Sequence, residues 1–185
     1  MKVFFDCEFT GLHKDTTLLS IGLISEKNQI FYAEFTDYAR EQCNTWILEN
    51  VFPGLATQNN DIYIPSLHVG TKQDIKTSLK NWFRQFDSVE LVSDVCHYDM
   101  VLLIDIFGDA FSLPSNVCPG CYDINQDIAR YYNSTLRDAF DVSREEILFN
   151  FYGNDTAGLL KHNALDDAKV IKYLYEAISK RYIGK

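Results

Sequence analysis

The sequence predicts an α/β fold with a mixed five-stranded sheet that opens as an antiparallel meander. Two patterns carry the prediction. Strand-like apolar runs come first, at residues 2–7, 18–25 (LLSIGLIS) and 29–35 (QIFYAEF). Only Glu26, Lys27 and Asn28 separate the second run from the third, a connection short enough to demand a hairpin. Further along, helical periodicities alternate with short strand-like runs at 90–94 and around Tyr122, the order of an α/β chain.

Each element has a local reason. Residues 2–7 read as a buried strand that turns at Thr10 and Gly11. Ala39, Cys43, Trp46, Ile47 and Val51 recur at helical spacing, and Pro53 with Gly54 ends that helix. Residues 54–70 carry no period and are expected to be an irregular loop. Thr71 and Asp74 form a capping arrangement for a helix through Phe86, with Ile75, Leu79 and Trp82 on one face. A buried helix over 98–107 follows the fourth strand. Pro114, Pro119 and Gly120 mark 109–125 as a connection, with a short strand near Tyr122. Two more helical pieces precede a final helix over 164–182, where Asn163 can cap and Asp166 stands at the position of a capping acid.

At 185 residues and 46% hydrophobic content the chain suits one core, so a single domain over 1–185 is expected. MVLLIDIF (100–107) and similar runs are too short and too charged to span a bilayer, and no basic leader with a hydrophobic run precedes the first strand, so a cytoplasmic location is expected. Five irregularly spaced cysteines do not form a disulfide framework. Cys118 and Cys121 make a CPGC pair without the second pair a zinc site needs, and a loop with two buried thiols is the expectation. The net charge of −9 argues against a broad phosphate-tracking surface. Two divalent cations on four carboxylates would bring it to −5, with the gain concentrated where a phosphate would sit.

FFDCEFTGL (4–12) sets two acids into an apolar strand. Residues two apart share a strand face, so Asp6 and Glu8 lie about 6 to 7 Å apart, and their repulsion must be relieved by protonation or by a cation. In the final helix, Ala164, Asp167, Ile171, Leu174 and Ile178 fall on one stripe, while Asp166 points roughly 100° away. Interaction with the helix dipole explains Asp166; an acid on the buried stripe needs a cation or a donor facing it. In VSDVCHYDMVLLIDIFG (92–108), Asp99 aligns with Leu103 and Ile106 on an apolar face, and Asp94 ends the preceding strand. Taken alone, these two read as solvated acids at element ends; either could be a ligand.

Four carboxylates on three segments, Asp6 and Glu8, Asp99, and Asp167, with His162 beside the last, suit Mg²⁺ or Mn²⁺ rather than zinc. The set resembles the DEDDh branch of the DEDD 3'-to-5' exonucleases, which includes proofreading exonucleases and ribonuclease T-like enzymes. Asp6 to Glu8, Tyr98 to Asp99 and His162 to Asp167 match its three motifs over about residues 1–180, HNALDDA being the most specific. Two positions depart from the pattern. Phe9 stands where relatives often have Thr, as in a smaller exoribonuclease branch, and Val95 stands where Asn is common, which keeps Asp94 as an understudy to Asp99.

The resemblance implies a ribonuclease H-like fold with helices on both faces of the sheet. It also implies two ions per site, with Asp6 bridging them and Glu8, Asp99 and Asp167 completing the shells, and His162 as the base for the attacking water. The implied substrate is the 3' end of a single-stranded nucleic acid, RNA preferred over DNA on the strength of Phe9, cleaved to 5'-mononucleotides. Phe9 and Leu12 would pack on the terminal base while main-chain groups from Cys7 to Thr10 meet its sugar. Phe9 reads equally well as core. Several relatives are homodimers, which leaves the assembly open.

Two rival classes remain. FFDCEFTGL also resembles the first motif of haloacid dehalogenase phosphatases, with Asp6 as nucleophile and Asp166 and Asp167 holding Mg²⁺. Against it, that family has Asp where Glu8 stands and starts from a parallel sheet, and no suitably placed phosphate-binding Lys is evident. A silent nucleic-acid-binding module would lack one or more of the five polar residues, and all five are present.

Overall fold

The computed structural model describes residues 1–153 and 158–183. Strands β1 (Lys2–Phe9), β2 (Leu18–Ser25) and β3 (Ile30–Phe35) form the expected antiparallel meander. Its second turn uses Asn28 at a positive φ of 64°, a conformation asparagine tolerates, and Ser25 accepts the Lys27 and Gln29 N–H groups. β4 (Leu67–Gly70) adds parallel to β3, β5 (Val89–Ser93) parallel to β1, and β6 (Val117–Asp123) parallel to β5. The order is β4-β3-β2-β1-β5-β6, six strands where the sequence predicts five.

The extra strand is β4, inside the segment expected to be irregular. LHVG is a short, half-exposed edge strand, paired on one side only and without alternation, so nothing local marks it. The expected helix through Val51 is also interrupted. Asn44 stops the chain and restarts it, accepting the Ile47 N–H at 3.0 Å to cap α1 (Thr45–Asn50), with single 3-10 turns at Arg40–Gln42 and Phe52–Gly54 on either side. Thr71 and Asp74 form the capping box of α2 (Lys72–Phe83), which ends before Phe86. α3 (Cys96–Phe107) follows β5, and α4 (Asn125–Tyr132), α5 (Leu136–Asp141) and α6 (Arg144–Tyr152) replace the two pieces expected there. The final helix is α7 (Ala164–Ile183).

β1 is buried on both faces, as a central strand covered by helices on each side must be. Its odd positions, Val3, Phe5 and Cys7, pack with Leu79 and Phe83 of α2 and Leu103 and Ile106 of α3. On the other face, Phe4 packs with Ile128 of α4, Ile147 of α6, and Ile171, Leu174 and Ile178 of α7. Asp6 and Glu8 continue the Phe4 face toward α7. Helix α7 reaches them because β2 has Gly22 opposite Asp6; a Cβ there would lie 2.3 Å from the Ala164 carbonyl carbon. Among the described residues, no helix is long and apolar enough to cross a membrane.

Candidate active site

The carboxyl ends of β1 and β5 and the amino ends of α3 and α7 meet at a cavity of about 830 Å³. Asp6 and Glu8 enter from β1, each 9% exposed. Asp99 comes from the first turn of α3 and is wholly buried, and Asp167 comes from the first turn of α7. Oxygens of Asp6, Asp94 and Asp99 lie within 4.8 Å of one another; ligand atoms of Glu8, His162 and Asp167 form a second such group.

His162 is held by its backbone. It adopts a left-handed φ of 59° and donates its N–H to Asp167 Oδ2 at 2.9 Å. Behind it, the Gly54 carbonyl accepts from Asn163 Nδ2 at 2.7 Å, and a Cβ on Gly54 would lie 2.3 Å from the His162 carbonyl oxygen. Buried Glu34 fixes the chain just after Gly54 by accepting the Ala56 and Thr57 N–H groups. The Trp46 ring meets the imidazole edge-on at 5.1 Å. Asp166 turns outward to Lys169 and to the Leu160 N–H, so the adjacent acids divide into a loop anchor and a pocket acid.

Burial first, and then the charge of a neighbouring acid, Asp99 for Asp6 and Asp167 for Glu8, holds both well above the carboxylate range. Burial does the same to Asp99, opposed by the Ser93 hydroxyl on its Oδ2, while its Oδ1 is buried without a hydrogen-bond partner among the described residues. Asp167 is raised to about 7, by burial first and then by the charge of Asp94. Four such acids cannot all ionise without a counter-charge. Oxygen-rich clusters with an orphaned buried oxygen fit a hard divalent cation, which would restore the ionised forms. His162 moves the other way: burial lowers its pKa, so its ring is neutral near pH 7, with Nδ1 4.0 Å from Glu8 Oε1.

The other expected contacts divide. Phe9 lines the cavity while stacking on Tyr98 at 5.3 Å, and Leu12 stands 75% exposed at the rim. Cys7 lines the cavity although its side chain packs in the opposite core, whereas Thr10 is not among the lining residues and its hydroxyl is taken up by Gln42 and Thr16. Trp46, read from sequence only as part of an apolar period, is half-exposed in the cavity wall. Arg144 also lines it, and no sequence signal separates it from an ordinary helix-start residue. The CPGC expectation needs correction: both thiols lie on β6, Cys118 is exposed, and Cys121 Sγ sits 2.9 Å from Cys96. Among the described residues, these thiols join no group of three ligand-bearing side chains.

No family model matches the chain. Two curated Mycobacterium tuberculosis proteins, from strains H37Rv and CDC 1551 and both named 3'-5' exoribonuclease, are 29% identical over 119 residues, covering 63% of this chain and 67% of each relative. The nuclease domain of the 3'-exonuclease 3'hExo, described as a DEDDh family member bound to rAMP, superposes with a TM-score of 0.62 at 15% identity, covering 99% of this chain and 92% of that one. The chain has the fold of the DEDDh exonucleases. A second structure, of 3'-end specific recognition of a histone mRNA stem-loop by a 3'-exonuclease, gives a TM-score of 0.65 at 14% identity over 99% of this chain and 82% of that one. Asp6, Glu8, Asp99, His162 and Asp167, the residues whose motifs resemble those of the DEDDh branch, all line the cavity.

Proposed function

We propose that residues 1–185 act as one divalent-ion-dependent 3'-to-5' exoribonuclease domain that releases 5'-mononucleotides from single-stranded 3' ends. The observation that carries this reading is the meeting of two ligand groups, Asp6 with Asp99 and Glu8 with Asp167, in one cavity open to solvent beside a neutral histidine. Asp6, Glu8, Asp99 and Asp167 would hold two ions, Mg²⁺ or Mn²⁺. Bound there, the ions would supply an activated water and stabilise the leaving 3' oxygen.

The chain's own groups do the rest. His162 accepts the proton of the attacking water; burial keeps its ring unprotonated at neutral pH, and Trp46 and the Asp167 contact limit its motion. Asp6 and Glu8 are fixed by strand pairing, so they need little reorganisation when substrate arrives. Phe9, Leu12 and Trp46 offer apolar faces to the terminal nucleotide, and stacking of that kind tolerates any base. The RNA preference is supported by the exoribonuclease names of the 29%-identical relatives.

The test uses a 5'-labelled single-stranded RNA oligomer and its DNA counterpart with Mg²⁺. The expected result is stepwise shortening from the 3' end, faster on RNA, with 5'-mononucleotide products, abolished by chelator and by Asp6→Ala. Full activity of Asp6→Ala, or activity indifferent to chelator, overturns the reading.

A further inference from the structure

We propose that Asp94 is a fifth carboxylate of the ion-binding pocket, on the Asp6–Asp99 side, and that Arg144 is the positioning residue that holds it there. The inference rests on the proposed function and extends its ligand set. It begins in the sheet. β5 runs parallel to β1 with Val92 opposite Phe4. Asp94 follows directly on β5, two residues beyond Val92, as Asp6 lies two residues beyond Phe4 on β1. Their oxygens and one from Asp99 lie within 4.8 Å of one another. A separate observation marks this group as a ligand site: Asp99, 0% exposed, has an Oδ1 with no hydrogen-bond partner among the described residues.

Arg144 accounts for how an additional acid is tolerated. Its Nε donates to Asp94 Oδ2 at 3.0 Å, and the two side chains are only 15% and 16% exposed. One terminal nitrogen donates to the Ala139 and Val142 carbonyls at 2.8 and 3.1 Å, the other to Asn125 Oδ1 at 2.6 Å. Asn125 in turn donates Nδ2 to the Asp94 carbonyl and to Asp123. With most of its five N–H donors committed inside the protein, Arg144 has no fork to offer a substrate phosphate. Its role is directed at Asp94, of which it engages one oxygen. The plain alternative is a buried ion pair that only ties the end of β5 to the α5–α6 turn. Against that, Asp94 lines the same cavity as Asp6, Glu8, Asp99 and Asp167 and brings an oxygen within 4.8 Å of those of Asp6 and Asp99.

The experiment titrates Mn²⁺ into the full chain, Asp94→Asn, Arg144→Lys and the double variant without substrate, by calorimetry and by the spectroscopic signal of free Mn²⁺. The parent is expected to bind two ions. Asp94→Asn is expected to lose about tenfold in affinity for one ion and to keep the other. Arg144→Lys weakens the same ion by less, and the double variant is no weaker than Asp94→Asn, the mark of two residues acting through one carboxylate. If Asp94→Asn fails to fold, Asp94→Glu replaces it: the longer side chain moves the oxygens out of step with Asp6, so a fallen affinity supports the proposal. An affinity equal to the parent's, in whichever of these variants folds, overturns it while leaving the two-ion function standing. A parent that takes up no Mn²⁺ overturns both.

Discussion

The two ligand groups in the cavity are built differently. Asp6, Asp94 and Asp99 stand on β1, just past the end of the neighbouring parallel strand β5, and on a helix start, wholly or largely buried, with Arg144 behind Asp94. Glu8, His162 and Asp167 depend on a loop: His162 sits at a left-handed φ, wedged between Gly54 and Asp167, and its ring is a quarter exposed. The first group is anchored by β1, by the start of α3 and by the Arg144–Asp94 ion pair. The second is precise only as long as the chain around Gly54 stays close. A division of labour follows, in which the strand-built side holds charge and the loop-built side moves a proton.

The comparison can be broken most severely at Asp6, proposed to serve both sides. Asp6→Asn is expected to reduce single-turnover RNA cleavage by ~10³-fold or more. Removing the loop side alone, with His162→Ala, should cost roughly 10²- to 10⁴-fold in kcat. The parent's rate should rise with pH through a pKa below 6.5 and then level, and the variant's profile should lack that step. Unchanged Mn²⁺ uptake by His162→Ala would support the separation; loss of both ions would end it.

Gly54→Ala sharpens the contrast without touching an ionisable group. The added Cβ would lie 2.3 Å from the His162 carbonyl, so the loop must shift, and a displacement near 1 Å costs about 10²-fold in kcat with KM little changed. Trp46→Ala should instead raise KM by about tenfold, the worth of one stacking contact; an unaltered KM would remove Trp46 from the substrate face.

The smallest effect concerns stability. Asp167 titrates near 7 in the fold against about 3.9 in an unfolded chain, so between those values the unfolded state binds fewer protons and stability falls as pH rises. Asp6, Glu8 and Asp99 shift in the same direction. His162 and His68, both lowered by burial, oppose them as two imidazoles against four carboxylates. Chelator-treated protein should therefore melt roughly 3–10 °C lower at pH 8 than at pH 5, and added Mn²⁺ should restore the loss at pH 8. A Tm that rises over that interval without metal would contradict the burial of these acids.

Much of the frame was legible from pattern. The LLSIGLIS and QIFYAEF runs and their three-residue link give β2, β3 and the hairpin, and Thr71 with Asp74 marks the start of α2. The Asp167 stripe on α7 was legible because a carboxylate among Ile171, Leu174 and Ile178 breaks a helical period. β4 was not, since an edge strand owes its existence to the neighbour it pairs with. Nor was the break at Asn44, where a polar cap interrupts a sequence whose apolar spacing runs straight through.

By itself the sequence determined which acids sit on buried faces, because the periods of strand and helix are local properties of the chain. Only the tertiary structure decided that Asp94 brings an oxygen within 4.8 Å of one from Asp6, that Arg144 reaches it across 50 residues, and that Gly54 backs His162. These depend on register between parallel strands and on the close approach of distant backbones, and neither leaves a mark on the spacing of residues along one chain.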